Sequence, residues 1–380
     1  MGQFLPPHGT ARRWLASVDW SLIGAATALG LFGLVMIYSA TRSWVVGDPT
    51  YYLERQSVSL AIGLVGMVTV IALDYRRLLQ LARMGYLVAV LLLVAVLLVG
   101  RRVAGTQGWI VLGPLSLQPA ELAKPALVLM LAAHLGERRP PERWGDFVPP
   151  VAMTALMGGL VLLEPDLGTA VVFGVILLGM LYAAQAPGRY LAWMGGAALV
   201  ALGLAVAVSA LGWAEILRPH QLERLVVLVD PASRRQGAGW NVTQSVIAIG
   251  SGRLFGQGLF AGPQTQLAFV PARHTDFIFS AVGEEFGFLG ATGVLAAYAV
   301  ILRRCLAIAM QARDRSVALL AAGVAITVGF HVVVNVGMTL GLMPVMGIPL
   351  PLLSYGGSSL VATLVAIGLA ASVGARRHGW

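Results

Sequence analysis

Pro271-Ala272-Arg273-His274-Thr275-Asp276-Phe277-Ile278-Phe279, running into Gly283-Glu284-Glu285-Phe286-Gly287, is the stretch on which the reading of the fold turns. A cation, an imidazole and a carboxylate stand within four residues. Directly behind them begins an apolar run, 277–302, and about 17–25 such residues suffice to cross a bilayer. Ionisable groups at or below a bilayer surface are costly, and they mark function by default.

The rest of the chain agrees. It is 58% hydrophobic and only 11% charged, where a soluble domain carries about 25% charged residues. Nine further apolar runs lie near 20–40, 56–73, 84–99, 119–135, 147–163, 168–184, 191–213, 316–336 and 356–374. The expected fold is an all-α integral membrane protein, a polytopic bundle of about ten transmembrane helices forming one domain over 1–380.

Arginine placement orients it. With a cytoplasmic N-terminus, the inner segments hold Arg12, Arg13, Arg76, Arg77, Arg83, Arg138, Arg139, Arg143, Arg189, Arg303, Arg304, Arg313, Arg315, Arg376 and Arg377. The short outer loops hold only Arg42, Arg55, Arg101 and Arg102. This bias places both termini in the cytoplasm. It also accounts for the net charge of +9, so nucleic acid is not an expected partner. The first span reads as retained, since no cleavage site follows a short apolar core. Cys305 is the only cysteine, which excludes an internal disulfide.

Two irregular elements stand out. Segment 214–276 is a long outer loop with apolar stretches at 225–229, 246–249 and 267–270, and it is expected to pack on the bundle or dip into the interface. Segment 343–357 has Pro344, Pro349 and Pro351 within eight positions, which preclude a regular helix. Yet it is too apolar for an aqueous loop, so it should line an outward-facing cavity beside the eighth span.

The ionisable residues each carry two readings. Lys124, the only lysine, lies three residues after Glu121, so the two share a helix face and can pair. Lys124 either snorkels to the interface or meets a pyrophosphate or partner carboxylate. Asp166, in Glu164-Pro165-Asp166-Leu167-Gly168, either caps the sixth span or joins a site on the outer face. Asp276 too could cap its helix, but capping does not need Arg273 and His274 beside it. Glu285 lies about 13 Å deeper, and Glu284 and Glu285 sit about 80° and 180° around the helix from Asp276. Not all three acids can face one cavity. One or both glutamates are read as structural partners for His331, Asn335 or backbone, and Asp276 as the chemical residue. Arg224, Arg234, Arg235, Arg253 and Arg273 in the long loop favour an anionic ligand. No nucleotide loop, zinc motif or nucleophile elbow appears.

Together, Gln118-Pro119-Ala120-Glu121-Leu122-Ala123-Lys124, Glu164-Pro165-Asp166-Leu167-Gly168-Thr169, Gly237-Ala238-Gly239-Trp240-Asn241, His274-Thr275-Asp276-Phe277-Ile278-Phe279 and Pro349-Leu350-Pro351-Leu352-Leu353-Ser354-Tyr355-Gly356-Gly357-Ser358-Ser359 resemble the SEDS family of bacterial cell-wall polymerases across nearly the whole chain. Gly262-Pro263-Gln264-Thr265-Gln266-Leu267 with Gly283-Glu284-Glu285 is similar to the elongation (RodA) branch more than to the division (FtsW) branch. The resemblance implies a peptidoglycan glycosyltransferase of the bacterial cytoplasmic membrane, its site facing outward, that polymerises lipid II for cell elongation and shape. In that reading Asp276 is the general base, alone or holding a divalent cation (Mg or Mn). Lys124, Glu121, Asp166, Arg224, Arg273, His274, Ser354, Tyr355 and Ser358 are the implied substrate-binding residues. The implied partners are lipid II, the growing glycan strand, a class B penicillin-binding transpeptidase and membrane proteins of the elongation complex. One departure shows: family members often read Gly-Ala-x-Arg-Trp where this chain has Gly105-Thr106-Gln107-Gly108-Trp109. Any contact made by that arginine is absent here or supplied by Arg101 or Arg102. The rival readings are a lipid II flippase, for which no internal repeat is evident, and a non-catalytic scaffold for a penicillin-binding protein.

Overall fold

The computed structural model describes residues 18–43, 48–103, 106–112, 115–214, 217–218, 221–224 and 237–375. Arg12, Arg13, Arg234, Arg235, Arg376, Arg377, Gly105 and the apolar stretch 225–229 lie outside the described residues. The chain runs α1 (Trp20–Thr41), α2 (Tyr51–Ala72), α3 (Tyr75–Gln80), α4 (Ala82–Val99), β1 (Arg101–Val103), β2 (Thr106–Leu112), β3 (Leu115–Leu117), α5 (Pro119–Gly136), α6 (Trp144–Leu163), α7 (Leu167–Ala183) and α8 (Gly188–Ala210). It continues with α9 (Ala238–Ser251), α10 (Pro263–Gln266), α11 (Ile278–Gln311), α12 (Arg315–Thr339) and α13 (Gly357–Gly374).

Among the described residues eight helices are long and apolar enough to cross a membrane, and α7 is a shorter apolar helix. Helix α5, which carries Glu121 and Lys124, coincides with the expected span 119–135. Every expected span therefore meets a helix, though α2 begins five residues before its expected start and α11 runs on to Gln311.

Local chemistry sets several helix starts. Asp19, Asp74, Asp166 and Asp314 each accept a hydrogen bond from a backbone N–H of the first turn that follows, satisfying donors a helix leaves orphaned. Asp19 also holds Arg304 of α11, whose Nε and Nη2 both lie 2.7 Å from Oδ2. At the other end of α1, Arg273 Nε donates to the Ala40 carbonyl at 2.7 Å. The entry to α11 and its far half are thus both pinned to α1.

Helices α12 and α13 form the interior, whereas α8 buries no residue. Glycines bring α13 close to α2: a Cβ at Gly63 would strike Leu364, and one at Gly368 would meet the Met67 backbone at 2.9 Å. Small residues of this kind let membrane helices approach and gain dispersion contact where no hydrophobic drive operates.

The structure adds a three-stranded antiparallel sheet, ordered β1-β2-β3, where the sequence suggested a plain outer loop. Ile110 pairs with Leu117 and Leu112 with Leu115. The described part of the long loop packs on the bundle as expected. Val242 and Ala248 of α9 are buried with Val270, Phe277, Met338 and Val345, and Ser245 Oγ donates to the Thr339 carbonyl at 2.8 Å.

Both glutamates of α11 find backbone partners, one of the expected alternatives, together with side chains that were not expected. Glu284 accepts from Gln264 N, Thr265 N and Thr265 Oγ1 at 2.7, 2.9 and 2.6 Å. Glu285 accepts from Ser39 Oγ at 2.5 Å and Gln266 Nε2 at 3.3 Å. Neither bonds His331 or Asn335; both anchor the long loop through its donors, although Glu285 Oε2 has no partner among the described residues. Immediately beyond, α11 breaks at Gly287 (φ 64). Phe288 N and Leu289 N donate to the carbonyls of Arg253 and Leu254, while Gln257 N and Gly258 N donate to those of Glu284 and Glu285. A side chain at Gly287 would collide with the Leu254 and Gly256 backbone, so only glycine permits both the left-handed turn and this exchange of hydrogen bonds.

Segment 340–356 is non-helical, as its prolines required. Its buried backbone is satisfied by side chains. Asn335 Nδ2 donates to the carbonyls of Ile348 and Asp276 at 2.8 and 2.9 Å. Ser354 Oγ donates to the Thr275 carbonyl at 2.6 Å and accepts from Leu350 N. Gln56 bridges Ser354 O and Gly356 N, and the Tyr298 hydroxyl donates to Pro351 O. Non-helical backbone inside a membrane protein survives only where it is paired in this way or lines a cavity.

Candidate active site

At one end of the bundle these elements enclose a cavity of about 560 Å³, within the usual range for a ligand site. Its wall draws on Tyr52 of α2, Trp109 of β2, Gln118 before α5, Asp166 before α7 and Arg224 of the outer loop. His274 and Asp276 before α11, Gly347 and Tyr355 of the irregular segment, and Ser359 of α13 complete it. The sequence-predicted residues that meet here are Asp276, Asp166, Arg224, His274 and Tyr355.

Asp276 sits half-buried at the entry to α11, with Arg224 and Asp166 as its charged neighbours. Its carboxyl is pushed up to about 6, first by burial and further by the like charge of Asp166, against the pull of Arg224. Gly347 (φ 69) keeps the space open: Arg224 Nη1 and Asp276 Oδ2 lie 3.2 and 3.8 Å from where its Cβ would stand. A Cβ there would crowd the Arg224 guanidinium and stand in ordinary contact with the Asp276 carboxylate.

Asp166 is both a helix cap and a residue of the cavity wall. It caps α7, accepting from Thr169 N at 2.9 Å and Thr169 Oγ1 at 2.8 Å, and it lines the cavity. Burial raises its pKa, the Thr169 bonds oppose this, and the nearby Lys124 charge opposes it further. His274 is lowered to about 4 by burial and by Arg273, so its imidazole is neutral at physiological pH.

Other expected site residues lie off this wall. Lys124 Nζ contacts Glu121 Oε1 at 2.6 Å and His331 Nε2 at 3.0 Å, beside a separate pocket of about 30 Å³. His331 Nδ1 lies 2.8 Å from the Thr327 carbonyl. A carbonyl only accepts, so Nδ1 carries the proton and Nε2 accepts a hydrogen bond from the Lys124 ammonium. Glu121 is tied to the cavity through its hydrogen bond with Ser359. Arg273 is buried against α1 and does not line the cavity. Ser354 clamps the irregular segment, and Ser358 joins Gln118 N to Ser116 O; these hydroxyls are spent on backbone. Arg101 and Arg102, the stand-ins for the missing loop arginine, are exposed and off the cavity wall.

Sequence reasoning passed over Tyr52, Trp109 and Gln118. Nothing in the sequence marks Tyr52, and only the fold carries it to His274. Gln118 stood inside a quoted motif without a role.

Glu164 is fully buried, and neither carboxyl oxygen has a hydrogen-bond partner among the described residues. It lies behind Gly108, whose Cβ would sit 3.2 Å from Oε2. Burial and Asp166 push its pKa up to about 8 from 4.5. A carboxyl raised in the folded state is favoured protonated, so it destabilises the fold increasingly as pH rises from its unfolded value toward about 8. Glu164→Gln is therefore expected to stabilise the protein at pH 7.5 by on the order of 2 kcal/mol. The gain should vanish near pH 4.5, and thermal unfolding at the two pH values measures it.

With this geometry in place, comparison with known proteins decides the family. The family model described as "Cell cycle protein", covering FtsW, RodA and SpoVE, matches residues 19–378. The chain belongs to the FtsW/RodA/SpoVE family. Among its relatives, a protein of Trichlorobacter lovleyi named "Probable peptidoglycan glycosyltransferase FtsW" is 34% identical over 95% of this chain and 94% of its own length. "Peptidoglycan glycosyltransferase MrdB" of Escherichia coli K12 is 35% identical over 92% of this chain and 93% of its own. A solved structure described as "Structural coordination of polymerization and crosslinking by a peptidoglycan synthase complex" superposes with a TM-score of 0.79 at 37% identity, covering 96% of this chain and 99% of that one. The crystal structure of the Thermus thermophilus rod-shape-determining protein RodA gives 0.70 at 37% identity, covering 96% and 98%. Family members named for both branches are similar to this chain at comparable identity.

Proposed function

We propose that this cavity is the active site of a peptidoglycan glycosyltransferase that polymerises lipid II into glycan strands at the outer face of a bacterial cytoplasmic membrane. The carrying observation is Asp276, a half-buried carboxyl in a cavity of about 560 Å³, flanked by Arg224 and Asp166.

The acceptor sugar hydroxyl attacks the anomeric carbon of the donor, and its proton passes to the Asp276 carboxylate. The new glycosidic C–O bond forms as the bond to pyrophosphate breaks. One displacement turns an α-linked donor into a β-linked product. Arg224 offers the fork that matches the departing phosphate oxygens. Lys124, engaged by Glu121 and His331, acts at a distance through its charge on Asp166. Asp166 and Asp276 supply two hard oxygen donors, and among the described residues no group of three metal-ligating side chains occurs. Magnesium is typically held by one or two carboxylates plus substrate phosphates, so the pair suits a divalent ion that arrives with the pyrophosphate. Such an ion would neutralise charge on that leaving group.

The arginine bias supports cytoplasmic termini and an outward cavity. Similarity to a peptidoglycan synthase complex supports a penicillin-binding transpeptidase as partner, and the motif at 262–267 supports the elongation branch.

A base must be ionised to accept a proton. The polymerisation rate is therefore expected to fall about tenfold per pH unit below about 6. Asp166→Asn removes a neighbouring like charge and should move this acid limb to lower pH. Initial rates of lipid II polymerisation between pH 4.5 and 8, at a pH-independent ionic strength, measure both effects; a flat profile through pH 6 contradicts the base assignment.

A further inference from the structure

Three rings occupy one side of the cavity. Tyr52 and His274 have centroids 4.9 Å apart, Tyr52 and Tyr355 4.9 Å, and His274 and Tyr355 5.8 Å. All three line the cavity with Asp276. The cluster is assembled from distant parts of the chain. Tyr52 comes from the first turn of α2, and Tyr355 N donates to the His274 carbonyl at 2.8 Å. Behind it, Arg55 lies 4.2 Å from the Tyr51 ring centroid and hydrogen-bonds Tyr355. The rings are thus fixed before any ligand arrives.

We propose that Tyr52, His274 and Tyr355 form a sugar-stacking subsite that holds the acceptor ring with its hydroxyl toward Asp276. The proposal rests on the polymerase reading of the same cavity. A pyranose has an apolar C–H face and a rim of hydroxyls. Its weakly positive C–H bonds suit the negative face of an aromatic ring, while the rim needs hydrogen-bonding groups such as Asp276, Gln118 and Ser359. Charge sorts the cavity further. Arg224 attracts the phosphates, whereas the aromatic side, with a neutral imidazole, suits an uncharged ring. A polyprenyl tail is the poorer fit, because it would strip water from Asp276 and Gln118 without replacing their hydrogen bonds. His274 precedes Asp276 by two residues, so a ring on this wall stands next to the base.

The test uses the purified full chain in detergent and a tetrasaccharide of β-1,4-linked N-acetylglucosamine, followed by saturation-transfer NMR, with lipid II polymerisation kinetics in parallel. Tyr52→Leu and Tyr355→Leu are expected to weaken tetrasaccharide binding about five- to tenfold and to raise the KM for lipid II similarly. Tyr52→Phe and Tyr355→Phe keep a ring and should bind within about twofold of the parent. Asp276→Asn should still bind the tetrasaccharide. If leucine at 355 lowers the melting temperature, Tyr52→Leu alone decides. Equal binding by the leucine and parent proteins overturns the subsite, as does a parent that polymerises lipid II yet shows no saturation transfer. Tyr52-dependent sugar binding by a protein that makes no strands would instead overturn the polymerase reading and leave the subsite standing.

Discussion

Asp276→Asn should reduce lipid II polymerisation by about 10³-fold while leaving the fold intact. A positioned base contributes roughly 10²–10⁴-fold, and asparagine keeps the shape while losing the lone pair that takes the proton. The fold should survive because the packing here uses the Asp276 main chain: Asn335 Nδ2 bonds its carbonyl. The side chain itself is a burden on stability, since burial raises its pKa to about 6. Asp276→Asn should thus melt no lower than the parent at pH 7.5. Asp276→Glu keeps the carboxylate but moves it by one methylene within a wall shared with Arg224 and Gly347, so partial activity is expected. Initial rates and melting curves on the three proteins separate loss of chemistry from loss of structure.

Glu121→Gln and Lys124→Met should each destabilise the protein by about 3–5 kcal/mol, the cost of leaving one member of a buried ion pair uncompensated. Both side chains are only 4–5% exposed and meet at 2.6 Å. The pair is further fixed by His331 on one side and Ser359 on the other. Replacing both with apolar residues, as Glu121→Leu with Lys124→Met, removes the two charges together and should cost less than either single change. Thermal unfolding in detergent measures all three. The activity of any folded variant should fall as well, because Lys124 contributes to the charge felt by Asp166.

The membrane helices were readable because their signal is one of length and hydropathy, which needs no knowledge of neighbours. The irregular segment was readable from Pro344, Pro349 and Pro351, since each proline removes a donor and blocks a helix locally. The sheet at 101–117 was not, because strands of three to seven residues carry little periodicity. Helical geometry correctly separated Glu284 and Glu285 from Asp276. It could not give their partners, which lie on the returning loop at 264–266 and on Ser39. The break at Gly287 was hidden for the same reason: a glycine inside an apolar run shows its need only when the 253–258 backbone arrives beside it. Within the site, Asp276, Asp166, Arg224, His274 and Tyr355 were found as charged or motif residues. Lys124 and Arg273 have the same chemistry, but Glu121, His331 and Ala40 claim them, and such claims depend on tertiary contacts. Tyr52 carried no signal that distinguished it from an interfacial anchor.

The most direct test of the polymerase account gives purified parent protein and Asp276→Asn, each with a transpeptidase partner present, fluorescently labelled lipid II and resolves the products on a gel. The account predicts muramidase-sensitive glycan strands from the parent and about a thousandth of that rate from the folded variant. Strands made equally well by Asp276→Asn, or lipid II moved between leaflets with no strands formed, would contradict it.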